Sequence, residues 1–117
     1  MKKILIVDDE IDVRELLVEY FSLAGFSAEG AANGQEGLKV FFKFMPDIAL
    51  VDIQMPVMDG ISFSKEIFKT NPKFPLVMMT GFFKDYDIED ILNSGVKEVI
   101  FKPLTLHEVG ATIKKYL

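Results

Sequence analysis

Four short stretches carry side chains that could do chemistry: Asp8-Asp9, Asp52, Thr80-Gly81 and Lys102. Each directly follows an apolar run, Ile4 to Val7, Ile48 to Val51, Leu76 to Met79 and Val99 to Phe101. Apolar runs of this length between turn signals read as buried strands. A carboxylate at the C-terminal end of such a strand sits where α/β sheets place their ligand sites. Asp52 is ionised at neutral pH and can act as a nucleophile that accepts a phosphoryl group, with no base needed to activate it. Each residue also has a plainer use. Asp52 could end a strand and hydrogen-bond the following turn. Asp8-Asp9 could be a solvated pair, with Asp9 capping a helix. Thr80 suits a strand by propensity, and Lys102 could be an ordinary surface lysine. The coincidence favours chemistry, because no folding requirement puts polar groups at all four strand ends.

If the strands run parallel, those ends share one edge of a sheet. Carboxylates from Asp8, Asp9 and Asp52, the Thr80 hydroxyl and the Lys102 ammonium then converge on one crevice. Two like charges 4 Å apart cost about 4 kcal/mol at an effective dielectric of 20. Such a cluster calls for a cation or raised pKa values. Mg²⁺ or Mn²⁺ fits, since a hard ion takes carboxylates, waters and phosphate oxygens, and a backbone carbonyl just past Asp52, that of Gln54, could complete the set. Lys102 can pair with Asp52 at rest or with a phosphoryl oxygen. Thr80 can donate to another phosphoryl oxygen, and Gly81 leaves room for an incoming group.

The elements that must position these residues alternate along the chain. Lys3 to Val7 is β1. Val13, Leu16, Leu17, Tyr20 and Phe21 give one apolar stripe of a helix over about Asp9 to Ala24, α1, ended by Gly25. Phe26 to Ala31 is an edge strand, β2. Gln35 to Phe44 is α2, carrying Leu38, Phe41, Phe42 and Met45 and closed by Pro46. Ile48 to Val51 is β3. Ile61, Phe63, Ser64, Ile67 and Phe68 mark α3, and Phe74 to Met79 contains β4. A fourth helix, α4, spans about Lys84 to Asn93. Val96 to Phe101 is β5, and Leu106, Val109, Ile113 and Tyr116 mark α5. Strands this apolar are covered on both faces, which implies a parallel sheet flanked by helices. The expected class is α/β, doubly wound, with strand order 2-1-3-4-5.

Composition narrows the function further. The 117 residues suit one domain, and half are hydrophobic. There is no Cys, so thiol chemistry, disulfides and thiolate metal sites are excluded, and His107 alone cannot build a histidine metal site. Eighteen acidic against 13 basic residues, a formal charge of −5, argue against binding nucleic acid directly or an anionic membrane. The four-residue run at Ile4 is too short for a signal peptide, so a cytoplasmic protein is expected.

The motifs Ile4-Leu5-Ile6-Val7-Asp8-Asp9-Glu10, Asp52-Ile53-Gln54-Met55-Pro56 with Met58-Asp59-Gly60, Thr80-Gly81 and Lys102-Pro103 resemble the receiver domain of bacterial two-component response regulators, including single-domain chemotaxis-type receivers. The resemblance covers essentially residues 1–117 as one receiver domain. It implies a flavodoxin-like (βα)5 fold. It implies Asp52 as phosphoacceptor, with Asp8, Asp9, Asp52 and the Gln54 carbonyl around Mg²⁺, Thr80 as switch hydroxyl and Lys102 as the phosphoryl-pairing lysine. The donor would be a histidine kinase or a histidine phosphotransfer protein. No output domain follows Leu117, so the signal is expected to pass to a downstream protein partner through an α4-β5-α5 surface; the same ending fits a receiver excised from a longer regulator or hybrid kinase.

One position departs from the family. An aromatic commonly stands three residues before the lysine, where this chain has Val99, with Phe101 nearer the lysine. A valine cannot make a large rotamer exchange, so the β4–α4 loop with Phe82 and Phe83 is expected to carry the switch in place of position 99. Other functions fit less well. An Asp-nucleophile phosphohydrolase needs a second acid two positions after Asp52, where Gln54 stands. A flavodoxin-type FMN carrier needs a Ser/Thr-rich phosphate loop where Asp8-Asp9-Glu10 stands. A phosphorylation-independent interaction module remains an alternative.

Overall fold

The computed structural model describes residues 1–81 and 87–117. Five strands alternate with helices: β1 (Lys3–Val7), α1 (Ile11–Leu23), β2 (Ser27–Ala31), α2 (Gly34–Phe44), β3 (Ile48–Asp52), α3 (Gly60–Thr70), β4 (Leu76–Thr80), α4 (Ile88–Asn93), β5 (Glu98–Phe101) and α5 (Leu106–Lys115). The strands form one parallel sheet in the order β2-β1-β3-β4-β5, the flavodoxin-like doubly wound arrangement expected. The central β3 is buried along its whole length. Alternation along each strand divides the core. Ile4, Ile6, Leu50 and Met79 meet Leu17 and Phe21 of α1 and Val109 and Ile113 of α5. Leu5, Val7, Val51 and Met78 meet Phe41 of α2, Phe63 and Ile67 of α3 and Ile91 of α4. No helix among the described residues is long and apolar enough to cross a membrane.

Local chemistry sets the helix ends. Gly25 takes φ +97°, the Gly25 N–H donates to the Ser22 carbonyl, and the Phe26 N–H donates to that of Phe21. That is the paired closure of a left-handed C-terminus. The rings of Phe21 and Phe26 meet edge-to-face at 5.2 Å across it, so the helix stop also seals the core. Asn33, Asp59 and Thr105 each accept a hydrogen bond from the third helical N–H, capping α2, α3 and α5.

Two expectations change. Asp9 does not cap α1: Glu10 is the N-cap residue, and Asp8 Oδ1 accepts from the Glu10 N–H at 2.9 Å. Leu16, Phe42 and Met45 do not join the core; they are 51, 56 and 73 % exposed. Each stands at the edge of its stripe, where spacing cannot tell a core contact from a helix flank. The start expected for α4 and the residues Phe82 and Phe83 lie outside the described residues.

The loop from Ile53 to Gly60 folds back on the end of β3. The Gly60 N–H donates to the Ile53 carbonyl at 2.8 Å, and a Cβ at Gly60 would fall onto the Asp52 carbonyl oxygen. No side chain is possible there without moving backbone. Within the same loop, Val57 adopts φ +69° while 76 % exposed. For an L-residue the left-handed region costs about 1–2 kcal/mol, and a β-branched residue is among the worst suited to it. Little burial offsets that cost. Val57→Gly is therefore expected to leave the loop intact and raise stability by up to about 1 kcal/mol, after the entropy that glycine loses. Urea unfolding should show a higher midpoint at unchanged slope.

Candidate phosphoacceptor and cation site

Register explains why the acids meet. The last β1–β3 pair is Val7 with Val51, so the next residues, Asp8 and Asp52, stand side by side at the strand ends. Both are buried, at 0 and 4 % exposure. Lys102 follows β5, where Thr80 pairs with Phe101 and the Lys102 N–H donates to the Thr80 carbonyl at 2.8 Å. It must reach across the end of β4 to meet β3, a span of two strand spacings or about 10 Å. Gly81 occupies the position its stem passes: a Cβ there would lie 3.7 Å from Lys102 Cβ and 3.9 Å from Cδ. The Lys102–Pro103 peptide is cis.

The ammonium ends between three carboxylates. Lys102 Nζ lies 2.9 Å from Glu10 Oε1, 3.2 Å from Asp52 Oδ2 and 3.4 Å from Asp8 Oδ2. The other Asp52 oxygen, Oδ1, accepts from the Gln54 N–H at 3.3 Å. Asp52 therefore makes the turn-type contact that a merely structural residue would make, and still presents an oxygen to the cleft. Arg14 of α1 donates to the Asp8 carbonyl at 2.7 Å and ties the β1–α1 connection down. A cleft of about 480 Å³ opens over this floor, lined by Asp9, Glu10, Asp52, Gln54, Gly81 and Lys102 with Met55, Pro56 and Asp59 of the β3–α3 loop.

Of the residues read from sequence, Asp8, Asp52 and Lys102 are in direct contact, while Asp9, Gln54 and Gly81 line the cleft. Thr80 is buried at the end of β4. Val99 is half-buried and packs on the core shared with α3 and α4; Phe101, two residues on, is 46 % exposed. Sequence reasoning missed Glu10 as a partner of Lys102. Its place two residues after a strand-end acid put it near the site but did not name Lys102 as its partner.

Carboxylate oxygens of Asp8, Glu10 and Asp52 lie within 4.8 Å of one another. Three hard oxygen donors this close, two of them on buried residues, suit a divalent cation of the Mg²⁺ class. Electrostatics agree. Burial first, then the charge of Asp8, raises Asp52 from 3.8 to about 6, against the opposing pull of Lys102. Asp8 is also raised, again chiefly by burial, with the Glu10 N–H and Lys102 pulling it back. Burial alone would lower Lys102; the hydrogen bond to Glu10 and the charges of Asp52 and Asp8 outweigh it and raise the ammonium above its ordinary value.

The family model for the response regulator receiver domain matches residues 4–114. The chain belongs to the response regulator receiver domain family. It is therefore a phosphoacceptor signalling domain of the two-component type. The receiver is 36 % identical over 117 residues to regulatory protein AtoC of Escherichia coli, covering all of this chain and 25 % of that protein. It is 34 % identical over 116 residues to sporulation initiation phosphotransferase F of Bacillus subtilis, covering 99 % of this chain and 94 % of that one. The chain thus spans a quarter of one curated relative and nearly the whole of another. Among solved structures, response regulator TrrA of Thermotoga maritima, in complex with Mg(2+)-BeF, superposes with a TM-score of 0.88 at 34 % identity over the full length of both chains. A CheY-like receiver from Methanospirillum hungatei gives 0.89 at 30 % identity, over 98 % of this chain and 92 % of that one.

The shifted Asp52 has a stability consequence. A carboxyl that binds its proton more tightly folded than unfolded favours the fold at low pH and opposes it once ionised. The window runs from about 4 to about 6, set by the ordinary and folded values of Asp52. Two units correspond to on the order of 3 kcal/mol, an upper bound because Asn also loses the Lys102 contact. Without divalent cations, Asp52→Asn is expected to be more stable than the parent at pH 7.5 by on the order of 1–3 kcal/mol, with the gap closing below pH 4. Urea unfolding at the two pH values measures it.

Proposed function

We propose that Asp52 is the phosphoacceptor, and that residues 1–117 form one receiver domain acting in the cytoplasm. The observation that carries this is the placing of a buried Asp52 oxygen 3.2 Å from the Lys102 ammonium at the floor of an acid-lined cleft. The donor is a phosphohistidine on a kinase or phosphotransfer protein. An Asp52 carboxylate oxygen attacks phosphorus, the P–N bond breaks as the P–O bond forms, and the bonding pair leaves with the imidazole. Asp8, Asp52 and the Gln54 carbonyl, with Asp9 and Glu10 at the rim, would hold a divalent cation of the Mg²⁺ or Mn²⁺ class. Such an ion supplies charge neutralisation for the transferring group. Lys102 moves from the carboxylates to a phosphoryl oxygen, and the Thr80 hydroxyl donates to another.

The residue two positions after Asp52 is Gln54, which cannot serve as an acid or base. The acyl phosphate is therefore lost slowly to water, and the domain acts as a timed switch that assists its own phosphorylation and dephosphorylation. Its output passes to a downstream protein through the α4-β5-α5 surface. With Val99 in the aromatic position, the β4–α4 loop carries the change. AtoC, of which the match covers 25 %, supports a receiver joined to further domains; phosphotransferase F, covered to 94 %, supports a free-standing relay.

Incubation with Mg²⁺ and a small acyl phosphate, read by intact mass, tests the acceptor. The parent should gain one phosphoryl group and Asp52→Asn none. A parent that stays unmodified with every donor, or an Asp52→Asn variant that still gains the group, would overturn the reading.

A further inference from the structure

Glu10 makes the shortest of the three contacts to Lys102, at 2.9 Å. It does so from a side chain that is 59 % exposed, whereas those of Asp8 and Asp52 are 0 and 6 % exposed. It is also the N-cap residue of α1, and its side chain makes no cap hydrogen bond. The caps of α2, α3, α4 and α5 all use their side chains for that purpose. The Glu10 carboxylate is turned away from its own helix and toward a lysine 92 residues along the chain. A glutamate has little capping to lose at a helix N-terminus, and this one directs its carboxylate into the cleft.

We infer that Glu10 is a positioning residue that parks the Lys102 ammonium in the resting state and competes with the phosphoryl group for it. This rests on Asp52 as the phosphoacceptor. Asp52 is consumed as a partner when it accepts the phosphoryl group, and Asp8 is fixed on buried backbone. Glu10, at the solvent edge, is the carboxylate that keeps its charge and its access to Lys102 in both states. The resting pair holds the ammonium back, so the phosphorylated form is reached against that pull. Glu10 thus sets how readily the domain switches without touching the reacting atoms.

The test is beryllofluoride, a non-covalent phosphoryl mimic, titrated at saturating Mg²⁺ into the parent, Glu10→Gln and Glu15→Gln. The last removes the same charge from an exposed site on α1 that makes no contact with Lys102. The Lys102 side-chain nitrogen resonance is followed throughout. Glu10→Gln should shift that resonance before any mimic is added, and should bind the mimic more tightly by up to about five-fold, the upper end for a partly exposed ion pair. Glu15→Gln should match the parent in both. Unchanged or weaker binding in Glu10→Gln would overturn the inference, weaker binding showing that Glu10 serves the cation more than it restrains Lys102. An equal gain in Glu15→Gln would reduce it to net charge. If the parent itself bound no mimic, the phosphoacceptor reading would fail, and with it the competition for the ammonium. In that case the resonance shift still reports whether Glu10 holds Lys102.

Discussion

One ammonium held among three carboxylates is the constraint on which the site depends. β1 and β3 are neighbours in a parallel sheet, and their register sets Asp8 beside Asp52 out of water. Nothing in those two strands neutralises them. The counter-charge arrives from β5, two strands away, on the one common side chain long enough to cross β4 and carry a point charge. Gly81 follows Thr80 at the crossing. The stem of Lys102 runs over a position without a side chain, and its head completes a site that the central strands leave electrostatically open. The sheet order is thus a condition of the chemistry as well as of the core.

The same arrangement explains how the site can respond to a ligand. Burial disfavours the ionised forms of Asp52 and Asp8, and Lys102 draws both carboxyls back toward ionisation. A divalent cation held by these carboxylates would relieve their repulsion more strongly than a single positive charge does, and would leave the Lys102 ammonium with fewer carboxylates to pair with. The β3–α3 loop packs Gly60 on the Asp52 backbone, which holds the main chain at that position. Moving a population from 1:99 to 99:1 takes about 5.5 kcal/mol of differential interaction. A redistribution of full charges at buried carboxylates is of that order. Gly60 holds the Asp52 backbone, while Val57, in the left-handed region, shows that the loop around it is shaped at some cost.

Much of this was legible in the sequence. Continuous apolar runs identified the buried strands, and polar residues at four of their ends identified the edge that carries the site. Gly25 marked the end of α1, because a glycine acts through the local backbone; the caps Asn33, Asp59 and Thr105 emerged only with the structure. Glu10 was not legible as a partner of Lys102, since that contact joins residues 92 apart and depends on which way an N-cap side chain turns. Nor were the exposed Leu16, Phe42 and Met45, which hydrophobic spacing placed on core stripes. Periodicity gives the face of a helix but not the width of the neighbour that covers it. Asp9 and Asp8 look alike in sequence. The register separates them, burying the first residue after β1 and leaving the second at the mouth of the cleft.

The central claim is that Lys102 occupies, at rest, the carboxylate site that a divalent cation would use. Calorimetric titration of Mg²⁺ into the parent and into Lys102→Met measures it most directly. Removing the competing ammonium should tighten Mg²⁺ binding by about ten-fold or more, the equivalent of one charge interaction of roughly 1.4 kcal/mol within the site. Equal or weaker Mg²⁺ binding in Lys102→Met would contradict the account, because the ammonium and the metal would then not share the carboxylates of Asp8, Glu10 and Asp52.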